Sequence, residues 1–382
     1  MDVVDVLVVG AGLAGLETAT RLAESGHDVL LVERRAALGH AIRTTGIFVR
    51  RTLDDFDLPP ETLGPPVRRV LLYPPGLRRP VELRSDRDEF RVGDMGRLYE
   101  ASAREAVDAG VRLRLGTRYV GRRDGVVHLE GPDGPIDVVP RYLVGADGAR
   151  SAVARDLGLD RNRHLLVGAE TVHPVHHAGQ EPTFHCVLDP SLAPGYIAWV
   201  VDDGEHAHVG VAGYARRFRD GLPATLARFT ASAPGLEHIR SDEAERRAGA
   251  IPVGGLLRRI SSAEGLLVGD AAGAVSPLTA GGLDPCLRQA GQAVEVLDDA
   301  LRTGDSNALA HYDGAALRAR FRGRIALRRM LAGLPSPAFA RAAFWGIRTP
   351  PGRAAARMVL FGDRSFPDAP RIPAGPLSTR VG

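Results

Sequence analysis

The first 35 residues of the chain carry two apolar runs separated by a segment with helical periodicity. The runs are VVDVLVVG and HDVLLVE, and each fits a strand that is covered on both faces. The segment between them, LAGLETATRLAESG, places four apolar residues on one helical face: Leu13, Leu16, Ala19 and Leu22. The pattern predicts a strand, a helix and a second strand, the arrangement from which α/β sheets are built.

Further apolar runs predict the remaining elements. A strand pair is expected in RRVLLYPPGLRRPVEL, an amphipathic helix in RLYEASAREAVDAG, and antiparallel strands in VRLRLGTRYVGRR and GVVHLE. PRYLVGADGARS predicts a buried strand that ends in a turn, and a β-rich block is expected from about Leu165 to Val253. After Ala300 the pattern is helical and rich in arginine, and the final PDAPRIPAGPLSTRVG predicts an irregular tail.

One acidic residue, Asp270, stands in an apolar context deep in the chain. It follows the short run LLVG and precedes AAGAVSPLTAGG, and the sequence then changes to a helical period. The pattern predicts that Asp270 lies where a buried strand meets a helix. A helix cap alone would account for an aspartate at such a junction, so its role depends on the motifs that accompany it.

Length and composition restrict the class of protein. A chain of 382 residues suggests about two domains. The net charge of +3 is too small, and the basic residues are too dispersed, to indicate nucleic-acid binding. No apolar run approaches the roughly 18 residues of a membrane-spanning helix, which leaves only peripheral membrane contact open. Because the N-terminus has no basic leader and only two cysteines occur, a cytoplasmic protein is expected.

The turn after the first apolar run has the spacing of a dinucleotide-binding loop. VVGAGLAGLE contains Gly10, Gly12 and Gly15 as G-x-G-x-x-G between a predicted strand and a predicted helix. The first glycine permits the tight turn, the second lets the backbone approach a pyrophosphate, and the third allows helix and strand to pack closely. Glu33 ends the second predicted strand, where a carboxylate binds a ribose diol and repels a 2′-phosphate. Together these features predict a bound dinucleotide.

Two later strand ends combine glycine and aspartate in a similar way. YLVGADGARSAVARDLGL has Asp147 and Gly148, and LLVGDAAGAVSPLTAGG has Gly269 and Asp270. With three such motifs in this order, the sequence resembles the flavoprotein superfamily of p-hydroxybenzoate hydroxylase and geranylgeranyl reductase. The resemblance covers at least residues 3 to 300.

The resemblance implies FAD as the cofactor and gives Asp270 a role. Asp270 would bond a ribityl hydroxyl, and amides at the following helix start would face the pyrophosphate and the flavin. Gly281 and Gly282 would let the backbone pass close to the isoalloxazine. The implied cofactor-binding set is Gly10, Gly12, Gly15, Glu33, Arg43, Asp147, Gly148, Gly269, Asp270, Gly281 and Gly282.

The resemblance also implies the domain organisation. The expected fold is α/β, with a Rossmann-type FAD-binding domain, an interposed antiparallel β-sheet substrate domain and C-terminal helices. The FAD-binding domain is expected at residues 1–75, 96–160 and 256–300, and the substrate domain at 76–95 and 161–255. A helical extension with its tail is expected at 301–382.

Within the superfamily, the chain is most similar to the geranylgeranyl reductase branch. Aromatic hydroxylases usually have a histidine after GDAA, whereas this chain has Gly273 followed by AVSPLTAGG. APGYIAWVVDDGEHAHVGVAG is similar to the branch's substrate-facing Tyr-x-Trp segment, although Tyr196 and Trp199 stand one residue further apart. In the loop GHAIRTTGIF, where the branch often has a cysteine, this chain has Arg-Thr-Thr at residues 43–45.

The resemblance therefore implies an FAD-dependent oxidoreductase that reduces or dehydrogenates an apolar or aromatic small molecule. An NAD(P)H-dependent monooxygenase and a non-redox flavin-binding cyclase are the alternatives. Tryptophan halogenases are disfavoured because they need a lysine, and all 49 basic residues of this chain are arginines. Since no second G-x-G-x-x-G unit is present, the electron donor stays open among transiently bound NAD(P)H, a partner protein and the substrate itself.

Five side chains are candidates for catalysis or for the substrate pocket. Cys286 and Arg43 are the candidates for catalysis, and the alternatives are a buried apolar thiol and a structural ion pair. Tyr196 and Trp199 are expected in the pocket wall because aromatic rings suit flat or lipid-like substrates. Cys186 is the fifth candidate and is expected to line the same pocket.

Four histidines lie near these candidates. His185 and Cys186 are neighbours on one predicted strand and point to opposite faces, so either can belong to the core. His173, His176 and His177 have no acid or cysteine at ligand spacing. We therefore expect them in a surface turn and expect no metal site.

Overall fold

The computed structural model describes residues 2–175, 181–236, 244–333 and 336–361, which form two compact units. Unit 1 comprises Met1–Ile42, Gly96–Leu165 and Ile251–Arg322. Unit 2 comprises Arg43–Met95, Leu166–Ala250 and the described residues from Gly323 onward. Compared with the expected domains, residues 43–75 fall in unit 2, and residues 161–165, 251–255 and 301–322 fall in unit 1. The described residues from 323 onward, expected in a separate extension, join unit 2.

The strands of the described residues are, in chain order, β1 (Asp2–Val9), β2 (Val29–Val32), β3 (Ile47–Val49), β4 (Arg69–Tyr73), β5 (Val81–Arg84), β6 (Phe90–Val92), β7 (Arg112–Arg114), β8 (Arg118–Arg123), β9 (Val126–Gly131), β10 (Gly134–Gly145), β11 (Leu165–Pro174), β12 (Thr183–Val187), β13 (Ala198–Asp202), β14 (His206–Gly213), β15 (Glu245–Pro252), β16 (Ser261–Ser262) and β17 (Gly265–Leu267). The α-helices are α1 (Leu13–Glu24), α2 (Arg50–Asp55), α3 (Met95–Asp108), α4 (Ala152–Asp156), α5 (Leu222–Thr230), α6 (Leu283–Thr303), α7 (Ala315–Ala332), α8 (Pro337–Arg348) and α9 (Pro350–Phe361).

Unit 1 is built on a sheet with the strand order β16-β17-β10-β1-β2-β7, to which β9 and β8 are added beside β10. The four strands from β17 to β2 are parallel, and β1 and β2 are largely buried, as expected for strands covered on both faces. Helix α1 packs on α6, and both helices bury apolar side chains, Leu16 in α1 and Leu297 in α6 among them. The strand, helix and strand expected at the N-terminus are confirmed.

Two expectations about unit 1 need correction. The segment VRLR forms β7, which pairs in parallel with β2, whereas the expected antiparallel pair is formed by β8 and β9 alone. The long helix after Asp270 begins only at Leu283, and Asp270 lies in a single 3-10 turn, Gly269–Ala272. Gly273, in the left-handed conformation with φ of 76°, ends this turn. Pro277 cannot donate a backbone hydrogen bond to a continuing helix.

Unit 2 is built on a second sheet with the order β15-β11-β14-β13-β12-β4-β5. Strand β4 pairs in parallel with β12 and antiparallel with β5, so its place in this sheet explains why residues before 76 belong to unit 2. The expected strand pair around residues 69–84 is confirmed. One face of the sheet packs on α5, and this core includes Leu71, Val187, Val200, Val209 and Phe229.

The other face of this sheet carries a row of residues in register. Leu72 is opposite Cys186, Cys186 is opposite Trp199, and Trp199 is opposite Gly210. Because side chains alternate along each strand, this row points away from the α5 core. We call this side the Trp199 face.

The C-terminal part of the described chain consists of α7, α8 and α9, which confirms the helical pattern expected after Ala300. The expected irregular tail, PDAPRIPAGPLSTRVG, lies outside the described residues. Among the described residues, no helix combines the length and the apolar character that crossing a membrane requires.

We predict that Gly210→Ala destabilises unit 2. The Trp199 indole lies directly over Gly210, and a Cβ added there would come within 2.1 Å of the indole Cζ2. Overpacking a buried site costs about 1–3 kcal/mol of unfolding free energy, measurable by urea unfolding. Gly249→Ala is the matched control, because its Cβ would lie 3.5 Å from the nearest atom, the Arg43 carbonyl oxygen. Equal stability of the two variants would show that the indole is free to move.

Candidate functional site

Four parallel strands of unit 1 end in a single row. Val9 is opposite both Val32 and Gly145, and Gly145 is opposite Leu267. Ligands of open α/β sheets bind beyond the carboxyl ends of the strands. The register therefore brings the residues after each strand to one edge: Gly10, Glu33, Asp147 and Asp270.

The glycine-rich turn after β1 is shaped by close backbone approaches. Gly10 has φ of 105°, and a Cβ there would lie 2.4 Å from the Ala146 carbonyl oxygen. A Cβ on Gly15 would lie 1.9 Å from the Gly10 carbonyl oxygen, so α1 starts directly against the turn. A Cβ on Gly12, in contrast, would meet no described atom within 4 Å. The turn therefore packs closely against its neighbours at Gly10 and Gly15 and leaves open space beside Gly12.

Glu33 is buried and tied to this turn. One carboxylate oxygen accepts a hydrogen bond from the Ala11 amide at 3.0 Å. The other accepts from the amide and the Nε of Arg35, both at 3.0 Å. Burial acts to raise the pKa of Glu33, but the hydrogen bonds and the charge of Arg35 outweigh it and lower the pKa below its ordinary value. The carboxylate is therefore ionised at neutral pH.

Asp147 has one satisfied and one unsatisfied oxygen. Its Oδ2 accepts hydrogen bonds from the amides of Ala152 at 2.7 Å and Val153 at 3.2 Å, at the start of α4. Its Oδ1 is buried and has no hydrogen-bond partner among the described residues. Burial outweighs the hydrogen bonds that it receives and raises its pKa. Asp147 therefore acts as a cap and still has an acceptor available for a ligand.

Asp270 is positioned by two amide side chains that the sequence did not single out. Asn162 donates to the Asp270 carbonyl oxygen at 2.8 Å and to the Ala149 carbonyl oxygen at 3.2 Å. Gln289 accepts from the Gly269 amide at 2.9 Å. Burial raises the pKa of Asp270 to about 6. A lone Asn or Gln has no motif, and only the folded backbone reveals these contacts.

Gly282, just before α6, lies close to this carboxyl group, and the Cys286 thiol interacts with it electrostatically. A Cβ on Gly282 would lie 3.4 Å from Asp270 Oδ1, and the Gly281 carbonyl oxygen accepts from the Ser276 amide at 2.9 Å. Cys286 is buried and donates to the Leu283 carbonyl oxygen at 3.1 Å. Burial, together with the carboxylates of Asp270 and Asp284, raises the pKa of the Cys286 thiol well above its ordinary value. This environment fits the inert thiol and not a thiolate nucleophile.

The pocket-wall candidates lie in unit 2. Trp199 and Cys186 are buried side by side on the Trp199 face, and the indole Nε1 has no hydrogen-bond partner among the described residues. Burial raises the pKa of the Cys186 thiol. Tyr196 precedes β13, and the Arg328 guanidinium lies 5.9 Å from its ring centroid. The expected opposite orientation of His185 is confirmed, since it stacks on Tyr73 in the α5 core.

Of two further candidates, Arg43 keeps its implied FAD contact as a prediction, and His173 is placed differently from the expectation. Arg43 is exposed and belongs to unit 2, whereas the other members of the implied cofactor set belong to unit 1. His173 was expected in a surface turn, but it is buried in β11 and its Nε2 lies 2.9 Å from the Thr171 hydroxyl. This expectation was wrong because β11 continues through His173 and pairs with β14. His176 and His177 lie outside the described residues.

A buried charged cluster in unit 2 was missed by the sequence analysis. His208 Nε2 lies 3.0 Å from Asp203 Oδ2, and His208 Nδ1 lies 3.7 Å from Glu170 Oε1. Glu170 also accepts from the Thr45 hydroxyl at 2.6 Å and lies 3.7 Å from an Arg247 nitrogen. Glu170 is opposite Gly210, and His208 precedes Gly210 by two residues on β14. The side chains of Glu170 and His208 therefore point to the Trp199 face. Polar residues at alternate positions of an apolar strand, as in HAHVGV, were the available signal.

The cluster holds His208 in its charged form. Burial acts to lower the pKa of His208, but the hydrogen bond with Asp203 and the charges of Glu170 and Asp203 raise it to about 9. Burial acts to raise the pKa of Asp203, but its hydrogen bonds, first that from His208, lower it to about 2. The cluster therefore contains a cation between two carboxylates at neutral pH.

Comparison with known proteins identifies the class. Two family models match the chain: an NAD(P)-binding Rossmann-like domain over residues 8–71 and an FAD binding domain over residues 103–321, more than half of the chain. The protein is an FAD-dependent oxidoreductase. This confirms the expected cofactor and the expected Rossmann-type fold class.

The relatives define the family within this class. The chain is 33% identical to digeranylgeranylglycerophospholipid reductase 1 of Methanopyrus kandleri, over 80% of this chain and 83% of the relative. The chain belongs to the digeranylgeranylglycerophospholipid reductase family. Its fold is similar to that of a geranylgeranyl bacteriochlorophyll reductase-like protein of Thermoplasma acidophilum, with a TM-score of 0.81, 21% identity, and coverage of 95% of this chain and 98% of that one.

The same fold also serves other flavin chemistry. The p-nitrophenol 4-monooxygenase PnpA of Pseudomonas putida gives a TM-score of 0.64 at 19% identity, over 96% of each chain. At this identity the likeness concerns the fold alone.

We predict that His208→Gln changes the pH dependence of stability. A pKa raised from 6.5 to about 9 stabilises the folded state by about 3 kcal/mol below about pH 6.5, and this contribution is lost as the pH rises through about 9. Urea unfolding should therefore show a stability gap between wild type and His208→Gln that narrows by about that amount from about pH 6 to about pH 10.

His128→Gln is the matched control for this prediction. His128 pairs with Asp137 at 2.7 Å, but both side chains are nearly half exposed, so the pair contributes about 0–1 kcal/mol. A pH-independent gap for His208→Gln would mean that His208 is neutral in the folded protein.

Proposed function

We propose that the protein reduces carbon–carbon double bonds in the isoprenoid chains of a lipid-like substrate. The observation that carries this proposal is the 33% identity to a digeranylgeranylglycerophospholipid reductase over four fifths of the chain. The apolar part of the Trp199 face, formed by Leu72, Cys186 and Trp199, supports it, because such a surface suits a hydrocarbon chain.

We propose that the strand-end edge of unit 1 holds the FAD. Three features fit a dinucleotide: the open side of the turn at Gly12, the ionised carboxylate of Glu33 and the unsatisfied Oδ1 of Asp147. Glu33 would accept hydrogen bonds from the adenosine ribose, and Asp270 from a ribityl hydroxyl. FAD supplies hydride transfer when it is bound. The other implied residues, Gly148, Gly269, Gly281 and Gly282, would shape the backbone around it.

On the substrate side, the proposed role of unit 2 is to exclude water and to store a proton. Trp199, Cys186 and Tyr196 would contact the hydrocarbon, and the protonated thiol of Cys186 would serve as an apolar surface. Saturating a double bond consumes one hydride and one proton. His208, held in its charged form on the Trp199 face, would supply that proton, with Thr45 and Glu170 as hydrogen-bonded neighbours. We propose that the electrons come from an external donor, either NAD(P)H or a redox protein.

A reduction assay tests this function. We predict that the protein, given a geranylgeranyl-bearing glycerophospholipid and dithionite without oxygen, yields products heavier by two hydrogen masses per reduced double bond. Mass spectrometry of the lipid gives the readout, and dithionite removes the dependence on the natural donor. Unchanged lipid in this assay, together with a product heavier by one oxygen mass in a parallel assay that contains NAD(P)H and oxygen, would establish a monooxygenase instead.

Two variants separate the cofactor side from the substrate side in the same assay. Asp270→Ala removes an acceptor at the strand-end edge, so the purified protein should contain less FAD. Trp199→Ala removes up to about 250 Å² of aromatic surface, so FAD content should persist while the lipid no longer perturbs the flavin spectrum. If Trp199→Ala binds FAD and lipid normally and only melts earlier, Trp199 is a core residue and has no role in the pocket.

A further inference from the structure

The charge of the chain is divided unevenly along its length. Residues 314–361 contain ten arginines and no aspartate, glutamate or lysine. The rest of the chain has 39 arginines and 46 acidic residues, so it is net acidic. Helices α8 and α9 lie in the basic segment, which therefore carries a concentrated positive charge that the overall value of +3 conceals.

The same segment exposes most of the large apolar side chains found on the described surface. Four of the seven exposed large hydrophobic residues belong to it: Met330, Phe339, Trp345 and Met358, with 57–70% of each side chain exposed. The other three are valines elsewhere in the chain. Exposed aromatic residues and methionines grouped in one segment indicate a binding surface.

Helix α8 has an apolar outer face as well as an apolar inner face. The inner face carries the buried side chains of Ala340 and Phe344. A surface helix normally presents polar residues on its other side. Here only Arg341 is charged among the exposed residues between Ser336 and Ile347, which are Ala338, Phe339, Arg341, Ala342, Ala343, Trp345 and Gly346.

Hydrogen bonds hold these helices against the β4–β5 hairpin of unit 2. Arg348 donates to the Arg79 carbonyl oxygen at 2.8 Å, and its guanidinium lies 5.9 Å from the Trp345 ring centroid. Arg357 donates to the Arg84 carbonyl oxygen. The hairpin turn exposes Arg78 and Arg79 beside them. The helices α8 and α9 and the turn at residues 76–79 thus form one defined surface, the C-terminal basic surface.

We propose that the C-terminal basic surface docks the protein onto an anionic lipid bilayer. Trp345 and Phe339 would enter the interface between headgroups and acyl chains, and the arginines would contact the lipid phosphates. The arginines, with no acidic residue among them, complement the charge of the lipid phosphates. The exposed aromatic residues beside them suit the interface between headgroups and acyl chains. Since no described helix can cross a membrane, the surface would lie on the bilayer. The inference depends on these residues and not on the reaction that the enzyme performs.

Vesicle sedimentation with the full-length protein tests this proposal. We predict binding to phosphatidylcholine vesicles that contain phosphatidylglycerol, weaker binding in high salt, and little binding to phosphatidylcholine alone. Phe339→Ser/Trp345→Ser should abolish binding. Val107→Ser/Val120→Ser, which removes two exposed valines of unit 1, is the matched control and should bind normally. Arg341→Gln/Arg353→Gln should weaken binding roughly 10- to 30-fold, at about 1 kcal/mol per charge.

Tryptophan fluorescence gives a second measurement of vesicle binding. In Trp199→Phe protein, Trp345 is the remaining tryptophan, and its emission should shift to the blue with anionic vesicles. Equal binding by the Phe339/Trp345 variant and wild type would overturn the proposal. Dimerisation through these residues without vesicle binding would assign the surface to a second copy of the chain. Binding that begins only after removal of residues 362–382 would assign it to the tail.

Discussion

The strand-end edge of unit 1 depends on one close approach, that of Gly10 to the β10 strand end. The Ala146 amide donates to the Val9 carbonyl oxygen at 2.9 Å, and the Ala146 carbonyl oxygen occupies the space that a Cβ on Gly10 would need. This contact lies at the end of the β1–β10 pairing, and β2 and β17 continue the same row. A side chain on Gly10 would collide with the β10 strand end and force a shift at the edge that carries Glu33, Asp147 and Asp270.

The buried charged groups of the two units have different electrostatic environments. In unit 1, neighbouring groups of the same edge have opposite shifts, since the pKa of Glu33 is lowered and the pKa of Asp270 is raised to about 6. In unit 2, charges are gathered around His208, on the same face of the sheet that carries the buried side chains of Trp199 and Cys186. An ionised acceptor for a ribose and an apolar wall for a hydrocarbon are both consistent with the family of the chain.

Hydrophobic periodicity and turn residues predicted the elements that depend on neighbouring residues in the sequence. The strand, helix and strand around Gly10, the hairpin around residue 76 and the alternation of His185 and Cys186 follow from periodicity and turn residues alone. The domain limits before residue 76 did not follow, because β4 joins its sheet by pairing with β12, more than 100 residues away. The His208 cluster was also hidden, since Thr45, Glu170 and Asp203 lie far apart in sequence and meet only when the second sheet forms. For Asp270, the strand end was predicted correctly, but the start of α6 was not, because a left-handed Gly273 ends the turn early.

A crystal structure of the protein with FAD and an isoprenoid lipid tests the account most directly. The account predicts FAD density along the strand-end edge of unit 1, with the adenosine ribose at Glu33 and a ribityl oxygen within hydrogen-bond distance of Asp270. It also predicts that the isoprenoid chain lies against the Trp199 face of the unit 2 sheet. FAD bound away from the β1, β10 and β17 strand ends, or a lipid chain that avoids Trp199 and Cys186, would contradict the account.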